Sequence, residues 1–222
     1  MTEVAKASEP FRLYTRLHLS ELTGLKAANL SELLELIKTV SGASIYHHTH
    51  RFLQQHQYLS PEPPNDFAYW VSNVLAEPEL GEMLASIDII QFPSIHALRE
   101  KIVKVIEEYL KNHPSARNRF VNPGAEFHFI KSNSFIFPTN HVANDLKELA
   151  DNLRQVTIDS IYYHVFESRL RLEKGKNDIS QWIENSIGDK ALADKLSRLD
   201  PYTFTLDALR NKLVNLIEKR LR

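Results

Sequence analysis

An internal repeat constrains the fold of this chain more than any other feature of its sequence. Residues 11–53 align without a gap to residues 127–169, and residues 65–110 align to residues 177–221 with one small deletion. The aligned segments share about 27 identities over roughly 90 positions, and both tryptophans of the chain fall on the same aligned position. The sequence therefore predicts a tandem, pseudo-symmetric duplication of one folding unit.

The boundary between the two copies is predicted from composition. Residues 114–124 read PSARNRFVNPG, a stretch with two prolines and a glycine and no hydrophobic periodicity. We predict repeat one at residues 11–113, a linker at residues 114–124 and repeat two at residues 125–222. Two copies of about a hundred residues are each near the size of a domain, and we expect them to pack about a pseudo-twofold axis.

Each copy is predicted to be mainly helical with a small β element. Residues 126–130 and 134–137 are rich in aromatic and β-branched residues and stop at Pro138, which is typical of strands, and residues 11–19 are their counterpart. The following segments begin with capping boxes, Asn29 with Glu32 in one copy and the aligned Asp145 with Glu148 in the other. Apolar residues at helical spacing continue to the end of each copy. The predicted class is α+β with up to five helices per repeat.

Composition and charge exclude several classes of function. The 222 residues contain no cysteine, which removes disulfides, thiolate nucleophiles, cysteine-bound zinc and iron–sulfur clusters. The net charge is −1, and basic residues alternate with acidic ones, which argues against nucleic-acid binding. No apolar run is long enough for a membrane helix, and the first ten residues lack a signal core. We expect a cytoplasmic protein without membrane or nucleic-acid partners.

Four of the ten histidines lie in one short stretch: His47, His48, His50 and His56. His47 and His50 share a helix face at a spacing that metal pairs use, and Asp66 is the candidate for a further ligand together with His48. The second copy has Tyr163 and Phe166 in place of His47 and His50, which favours aromatic packing on that face. No HExxH signature supports a metal, so we predict no cofactor and leave a divalent metal open.

A second group of candidates occupies the same positions in both copies: Tyr46, His48, Asp66 and Trp70, with Tyr162, His164, Asp178 and Trp182. We interpret the histidines as buried scaffold residues held by a carboxylate, with Asp66 and Asp178 as the candidates, or by a backbone carbonyl; equivalent ligand pockets are the alternative. The aspartates are predicted helix caps, and the tryptophans are predicted core residues rather than stacking platforms. Arg99 and the aligned Arg210 are predicted to form interhelical ion pairs.

The motifs around these residues resemble a known family. SIYHHTHRFL at residues 44–53 and NDFAYW at residues 65–70 are similar to an uncharacterised bacterial family, domain of unknown function five-seven-five-two. The second copy resembles it as well, through residues 135–139, 160–169, 177–178 and 199–202. The likeness covers nearly the whole chain and implies no activity, cofactor or catalytic residue.

The sequence contains no reaction signature: the glycine-rich phosphate loops, the GxSxG elbow and the kinase motifs are all absent. We therefore predict a non-catalytic cytoplasmic helical module that binds a partner protein or a small ligand, with a homodimer left open. The alternative is a metal-dependent enzyme that uses His47, His48 and His50. A weaker alternative is a sugar or nucleotide binder that stacks its ligand on Trp70 or Trp182. Ligand, partner and biological process are not determined by the sequence.

Overall fold

The protein combines many helices with one two-stranded antiparallel sheet, so the predicted α+β class is correct. The structure is a computed structural model that describes residues 6–52, 64–168, 170, 176–199 and 205–222. Within these ranges, no helix is both long and apolar enough to cross a membrane. Contacts divide the chain into a central unit, residues 18–133, and a terminal unit, residues 1–17 together with residues 134–222.

The sheet consists of β1 (Lys6–Ala27) and β2 (Phe127–Asp145). Residues early in β2 lie beside residues late in β1, and residues late in β2 lie beside residues early in β1, so the two strands are antiparallel. In the central unit the Thr23 hydroxyl donates to the Phe129 carbonyl at 2.7 Å. In the terminal unit the Thr139 hydroxyl donates to the Leu13 carbonyl at 2.8 Å. Each strand therefore contributes one half to each unit.

The predicted break at Pro138 does not occur, because β2 continues through this residue to Asp145. Pro138 is exposed. Proline is tolerated on the edge of a sheet, where its missing N–H group breaks no ladder hydrogen bond. The two strands that the sequence predicted at residues 126–130 and 134–137 thus form one long strand.

The helices of the central unit follow β1. They are α1 (Leu30–Thr39), α2 (Gly42–Tyr46), α3 (Asp66–Asn73), α4 (Pro78–Ala85) and α5 (Ile95–Asn112). A π-helical turn (His47–Arg51) continues α2, and short 3-10 turns lie at Ile89–Gln91 and Pro114–Asn118. The side chain of Asn29 accepts a hydrogen bond from the Glu32 amide at 2.9 Å, as the capping box predicts.

The helices of the terminal unit follow β2 in the same order. They are α6 (Leu146–Gln155), α7 (Ile158–Tyr162), α8 (Asp178–Trp182), α9 (Lys190–Ser197) and α10 (Leu206–Leu221). π-helical turns continue α7 at Tyr163–Glu167 and α8 at Ile183–Ile187. Asp145 caps α6 by accepting from the Glu148 amide at 2.8 Å, which is the second predicted capping box.

The core of the terminal unit includes residues from the start of the chain. Phe11 and Leu13 of β1 belong to the same apolar cluster as Leu149, Ile161 and Leu209 of the helices. Phe127 and Phe129 of β2 have the matching role in the central unit, where their rings lie 5.2 and 6.4 Å from the ring of Phe67. In both units the buried pair is spaced two residues apart, as expected for one face of a strand.

The boundaries between the two units, as defined by contacts, differ from the boundaries between the two sequence repeats. The repeat was defined by similarity at residues 11–113 and 125–222, whereas packing assigns residues 11–17 to the terminal unit and residues 125–133 to the central unit. Similarity follows the order of the chain and packing follows contacts, so the two divisions differ wherever a strand packs on distant helices.

The segment predicted as a linker, residues 114–124, lies within the central unit. It contains a 3-10 turn with a buried Ala116, and the Val121 amide donates to the Ala28 carbonyl at 2.9 Å. The Arg119 guanidinium also lies 3.1 Å from a carboxylate oxygen of Glu77. Proline and glycine end helices, but they do not distinguish a free linker from an ordered loop.

Candidate functional site

A buried histidine joins a helix to the sheet in the central unit. Nδ1 of His48 lies 2.6 Å from a carboxylate oxygen of Asp66, and Nε2 lies 2.9 Å from the backbone nitrogen of Ile130. Since a backbone N–H group can only donate, Nε2 accepts, and the ring proton resides on Nδ1 and faces Asp66. We call this arrangement the central histidine bridge. It leaves neither ring nitrogen of His48 available to a ligand.

The terminal unit contains the same arrangement. Nδ1 of His164 lies 2.9 Å from a carboxylate oxygen of Asp178, and Nε2 accepts from the Tyr14 amide at 2.8 Å. We call this the terminal histidine bridge. The carboxylate partner that the sequence analysis expected for both histidines agrees with this geometry. The sequence analysis did not predict the strand amide as the second partner. Each histidine thus fixes the first turn of a helix against a strand.

The aspartates of the two bridges are not the helix caps that the sequence predicted. Asn65 caps α3 by accepting from the Ala68 amide at 2.9 Å, and Asn177 caps α8 by accepting from the Ser180 amide at 2.8 Å. The side-chain amide of Asn65 also donates to the Leu84 carbonyl at 3.0 Å, which ties the cap to α4. Because asparagine performs the capping, the next residue can direct its carboxylate to the histidine.

The two tryptophans belong to α3 and α8, and each donates to the backbone on or just before the strand that its unit's histidine contacts. Nε1 of Trp70 donates to the Ala125 carbonyl at 2.9 Å, and Nε1 of Trp182 donates to the Glu9 carbonyl at 2.7 Å. Both side chains are buried, which does not suit the alternative of a stacking platform for a sugar or a nucleotide. In each unit one histidine and one tryptophan therefore attach the helices to the strand or to the residues just before it.

The remaining candidate histidines point to different neighbours. Nδ1 of His47 lies 2.8 Å from the Ser132 hydroxyl. The ring of His50 stacks on Tyr46 with centroids 5.6 Å apart and planes 4° from parallel, and its Nδ1 lies 3.1 Å from the Thr49 hydroxyl. In the terminal unit Phe166 stacks on Tyr162 in the same way, with centroids 4.5 Å apart.

The metal hypothesis finds no assembled site in the part of the chain that the structure describes. Within residues 6–52, 64–168, 170, 176–199 and 205–222, no three histidine, aspartate or glutamate side chains converge as a metal site requires. His47, His48 and His50 contact a serine, an aspartate and a tyrosine respectively. His56, the fourth member of the cluster, lies outside the described residues.

A buried arginine of the terminal unit was missed by the sequence analysis. The Arg16 guanidinium lies 4.1 Å from the centroid of the Tyr162 ring and forms an ion pair with Glu167. The guanidinium lies over a tyrosine ring that also stacks on Phe166, and the arrangement is a cation–π contact in a buried setting. Arg16 lies between Thr15 and Leu17, and the sequence does not distinguish it from the exposed Arg12 of the same strand.

Arg99 and Arg210 also differ from their prediction. Arg99 donates to the Val40 carbonyl at the end of α1, and Arg210 donates to the Val156 carbonyl at the end of α6 at 2.9 Å. The expected interhelical ion pairs are therefore replaced by hydrogen bonds to the carbonyl of each C-terminal capping residue. A positive charge at this end of a helix is favourable because the last carbonyls there lack partners.

The pKa of His47 is lowered from 6.5 to about 4. Burial of the ring is the largest cause and Arg51 lowers the pKa further, whereas Asp66 opposes the shift. The folded protein therefore keeps His47 neutral over a pH range in which the unfolded chain binds a proton there.

This shift predicts a pH dependence of stability. The contribution of His47 is fully present above about pH 6.5 and is lost as the pH falls towards about 4, because the unfolded state binds more protons in that interval. Because solvent screens the partly exposed ring, we expect the free energy of unfolding to fall by about 1–2 kcal/mol over this interval. His47→Tyr, the residue at the aligned position 163, should flatten this part of a denaturation-against-pH curve. Equal slopes for both proteins would contradict the assignment.

The protein is thus an α+β protein of two units, and in each unit a histidine links an aspartate to a strand amide. The family model described as "Family of unknown function (DUF5752)" matches residues 8–218. The chain belongs to this family. A solved structure described as "The structure of OrfY from Thermoproteus tenax" is similar, with a TM-score of 0.82, 28% sequence identity and coverage of 98% of each chain. No curated protein sequence matches the chain.

Proposed function

We propose that this protein is a non-catalytic, cytoplasmic binding module that holds an extended apolar segment of a partner protein against residues 134–138 of β2. We further propose that the chain arose by tandem duplication of one unit. The matched bridges support the duplication, because His48 and His164 make the same two contacts in different halves of the chain.

The observation that carries the binding proposal is the exposure of the middle of β2. Residues 134–138 are all exposed, and Phe135, Ile136 and Phe137 are 47%, 48% and 48% exposed. Because successive side chains of a strand point to opposite faces, a continuous exposed run means that neither face is covered here. Uncovered apolar residues on a strand are costly in water and typical of interaction sites.

The size of this surface favours a short segment of a partner over a large interface. A phenylalanine side chain has roughly 150–250 Å² of surface, so these three half-exposed residues offer roughly 300 Å². A stable interface between two folded proteins buries about 800 Å² on each side. Residues 134–138 suit a partner chain that adds main-chain hydrogen bonds to the apolar contact. Pro138 lacks an N–H group and limits such pairing to the residues before it.

The two histidine bridges support a non-catalytic role. A general base needs a ring nitrogen within reach of a substrate proton. Both nitrogens of His48 and of His164 instead face an aspartate and a backbone amide of their own unit. Their geometry serves the attachment of a strand to a helix.

The test uses peptides and hydrogen exchange on the intact chain. A library of ten-residue extended peptides with alternating apolar and polar residues is selected against the wild-type protein. Selected peptides are expected to slow amide exchange at residues 134–137 and to bind at least tenfold more weakly to a Phe135→Ser, Phe137→Ser double variant. The matched control is Phe120→Ser, which removes a ring of the central unit that is more exposed, at 65%, than Phe135 or Phe137.

Several outcomes would overturn the proposal. Protection that appears only outside residues 134–137 would contradict the site, as would equal binding by the double variant. Sedimentation at several concentrations examines the homodimer that the sequence left open. A dimer that dissociates in the double variant would identify a second copy as the occupant and contradict a separate partner protein.

A further inference from the structure

A cleft opens on the surface of the terminal unit, between α9 and α10. Its volume is about 290 Å³, near the lower end of the range for small-molecule sites. It is lined by Ala191, Leu192, Lys195, Leu216, Lys219 and Arg220. Apolar side chains form part of its wall, and three cationic side chains surround it.

The charges of this cleft are not balanced by the acidic residues near it. Arg220 pairs with Asp189, whose other carboxylate oxygen accepts from the Leu192 amide at 3.1 Å. Lys195 and Lys219 are exposed, and neither forms an ion pair with any residue that the structure describes. Three cations against one carboxylate leave a formal excess of two positive charges at the cleft.

The aligned positions of the central unit show that the shared fold does not require this cleft. Lys195 aligns with Met83, Lys219 with Glu108 and Arg220 with Tyr109. Tyr109 is buried and its hydroxyl donates to Glu77 at 2.6 Å, where the terminal unit has the pair of Arg220 and Asp189. Burial and this contact raise the pKa of Tyr109 to about 12, so its ring remains a neutral hydroxyl donor. The cationic character therefore belongs to the terminal unit alone.

We propose that this cleft binds a phosphate monoester with an apolar substituent. A phosphate monoester carries close to two negative charges at neutral pH, which matches the excess positive charge. Arg220, held in place by Asp189, offers its remaining guanidinium N–H groups to the phosphate oxygens, and the two lysines supply mobile ammonium groups. Leu192 and Leu216 contact the apolar substituent. This site is separate from residues 134–138 and does not depend on the function proposed for them.

In the experiment the intact protein is titrated with phenyl phosphate, with inorganic phosphate and with phenol. Calorimetry and amide chemical shifts measure the binding of each compound. Phenyl phosphate is expected to bind and to shift the amides of Ala191 and Leu192. Inorganic phosphate should bind at least fivefold more weakly, and phenol should not bind. Lys195→Met and Lys219→Glu, which introduce the central-unit residues, should each weaken phenyl phosphate at least tenfold. Lys147→Glu makes the same charge change as Lys219→Glu, on α6 of this unit, and should have no effect.

The proposal is overturned if phenyl phosphate does not bind, or if the cleft variants bind it as tightly as the wild type does. Inorganic phosphate that binds as tightly as phenyl phosphate would contradict the apolar part of the site. Equal weakening by Lys147→Glu would indicate a general charge effect and would also overturn it. Because the two substituted cleft residues are exposed lysines, we expect unchanged melting temperatures of these variants, which confirm that each is folded.

Discussion

Leu13→Asp is expected to unfold the terminal unit, although this residue lies far along the chain from the helices that surround it. Leu13 is fully buried in the cluster formed by α6 to α10, and its strand segment supplies the amide of Tyr14 to His164. A carboxylate in this position has no partner to compensate its lost hydration, so we expect a destabilisation of at least about 4 kcal/mol. Denaturant unfolding followed by circular dichroism measures it.

The matched control for this substitution is Leu17→Asp. Leu17 lies four residues further along β1 in the same unit and is 53% exposed. A charge on its side chain stays in water, and we expect a change within about 0.5 kcal/mol. Similar losses for both variants would show that any charge on β1 disrupts the sheet and would contradict a specific role of the buried face.

The second large effect is expected from the two histidine bridges. His48→Ala and His164→Ala each remove two hydrogen bonds, one to a strand amide and one to an aspartate. The ring of His48 also packs on Phe127, with centroids 4.6 Å apart. We expect each variant to lose about 2–4 kcal/mol of unfolding free energy. His48→Ala should act on the central unit and His164→Ala on the terminal unit, as separate transitions in thermal unfolding.

A surface histidine provides the control for this pair. His96 on α5 is exposed and pairs at the surface with Glu100, so His96→Ala should change the stability by less than about 0.5 kcal/mol. Asp66→Asn keeps the shape of the carboxylate and removes its charge, and it should cost less than His48→Ala. Unchanged melting of both histidine variants would mean that the bridges do not hold the strands.

The sequence predicted the histidine bridges in part. The repeated identities at His48 and His164 indicated a structural role, and Asp66 and Asp178 were named as carboxylate partners. The strand amides of Ile130 and Tyr14 could not be predicted, because they depend on which strand lies beside the helix. The pattern of one segment contains no information on this long-range pairing.

The sequence also could not predict that the two halves of each strand belong to different units, and the reason is the same. Alternation at Phe11 and Leu13 predicts that one face of the strand is buried, but both sets of helices are apolar enough to bury it. The sequence therefore indicated the strand and not its neighbours. Local signals succeeded where the partner is near in sequence, as in the caps at Asn29 and Asp145. The cap at Asn65 was assigned to the following aspartate because both residue types are good caps.

The central claim is that each strand contributes one half to each unit. Amide hydrogen exchange, measured by mass spectrometry on two reciprocal variants, tests this claim most directly. Leu13→Asp should accelerate amide exchange in α6 to α10 and leave α1 to α5 protected, whereas Phe129→Asp should do the reverse. A division at residues 114–124 predicts the opposite, since it places Leu13 with the first set of helices. Faster exchange in α1 to α5 after Leu13→Asp, with α6 to α10 unchanged, would contradict the assignment of residues 1–17 to the terminal unit.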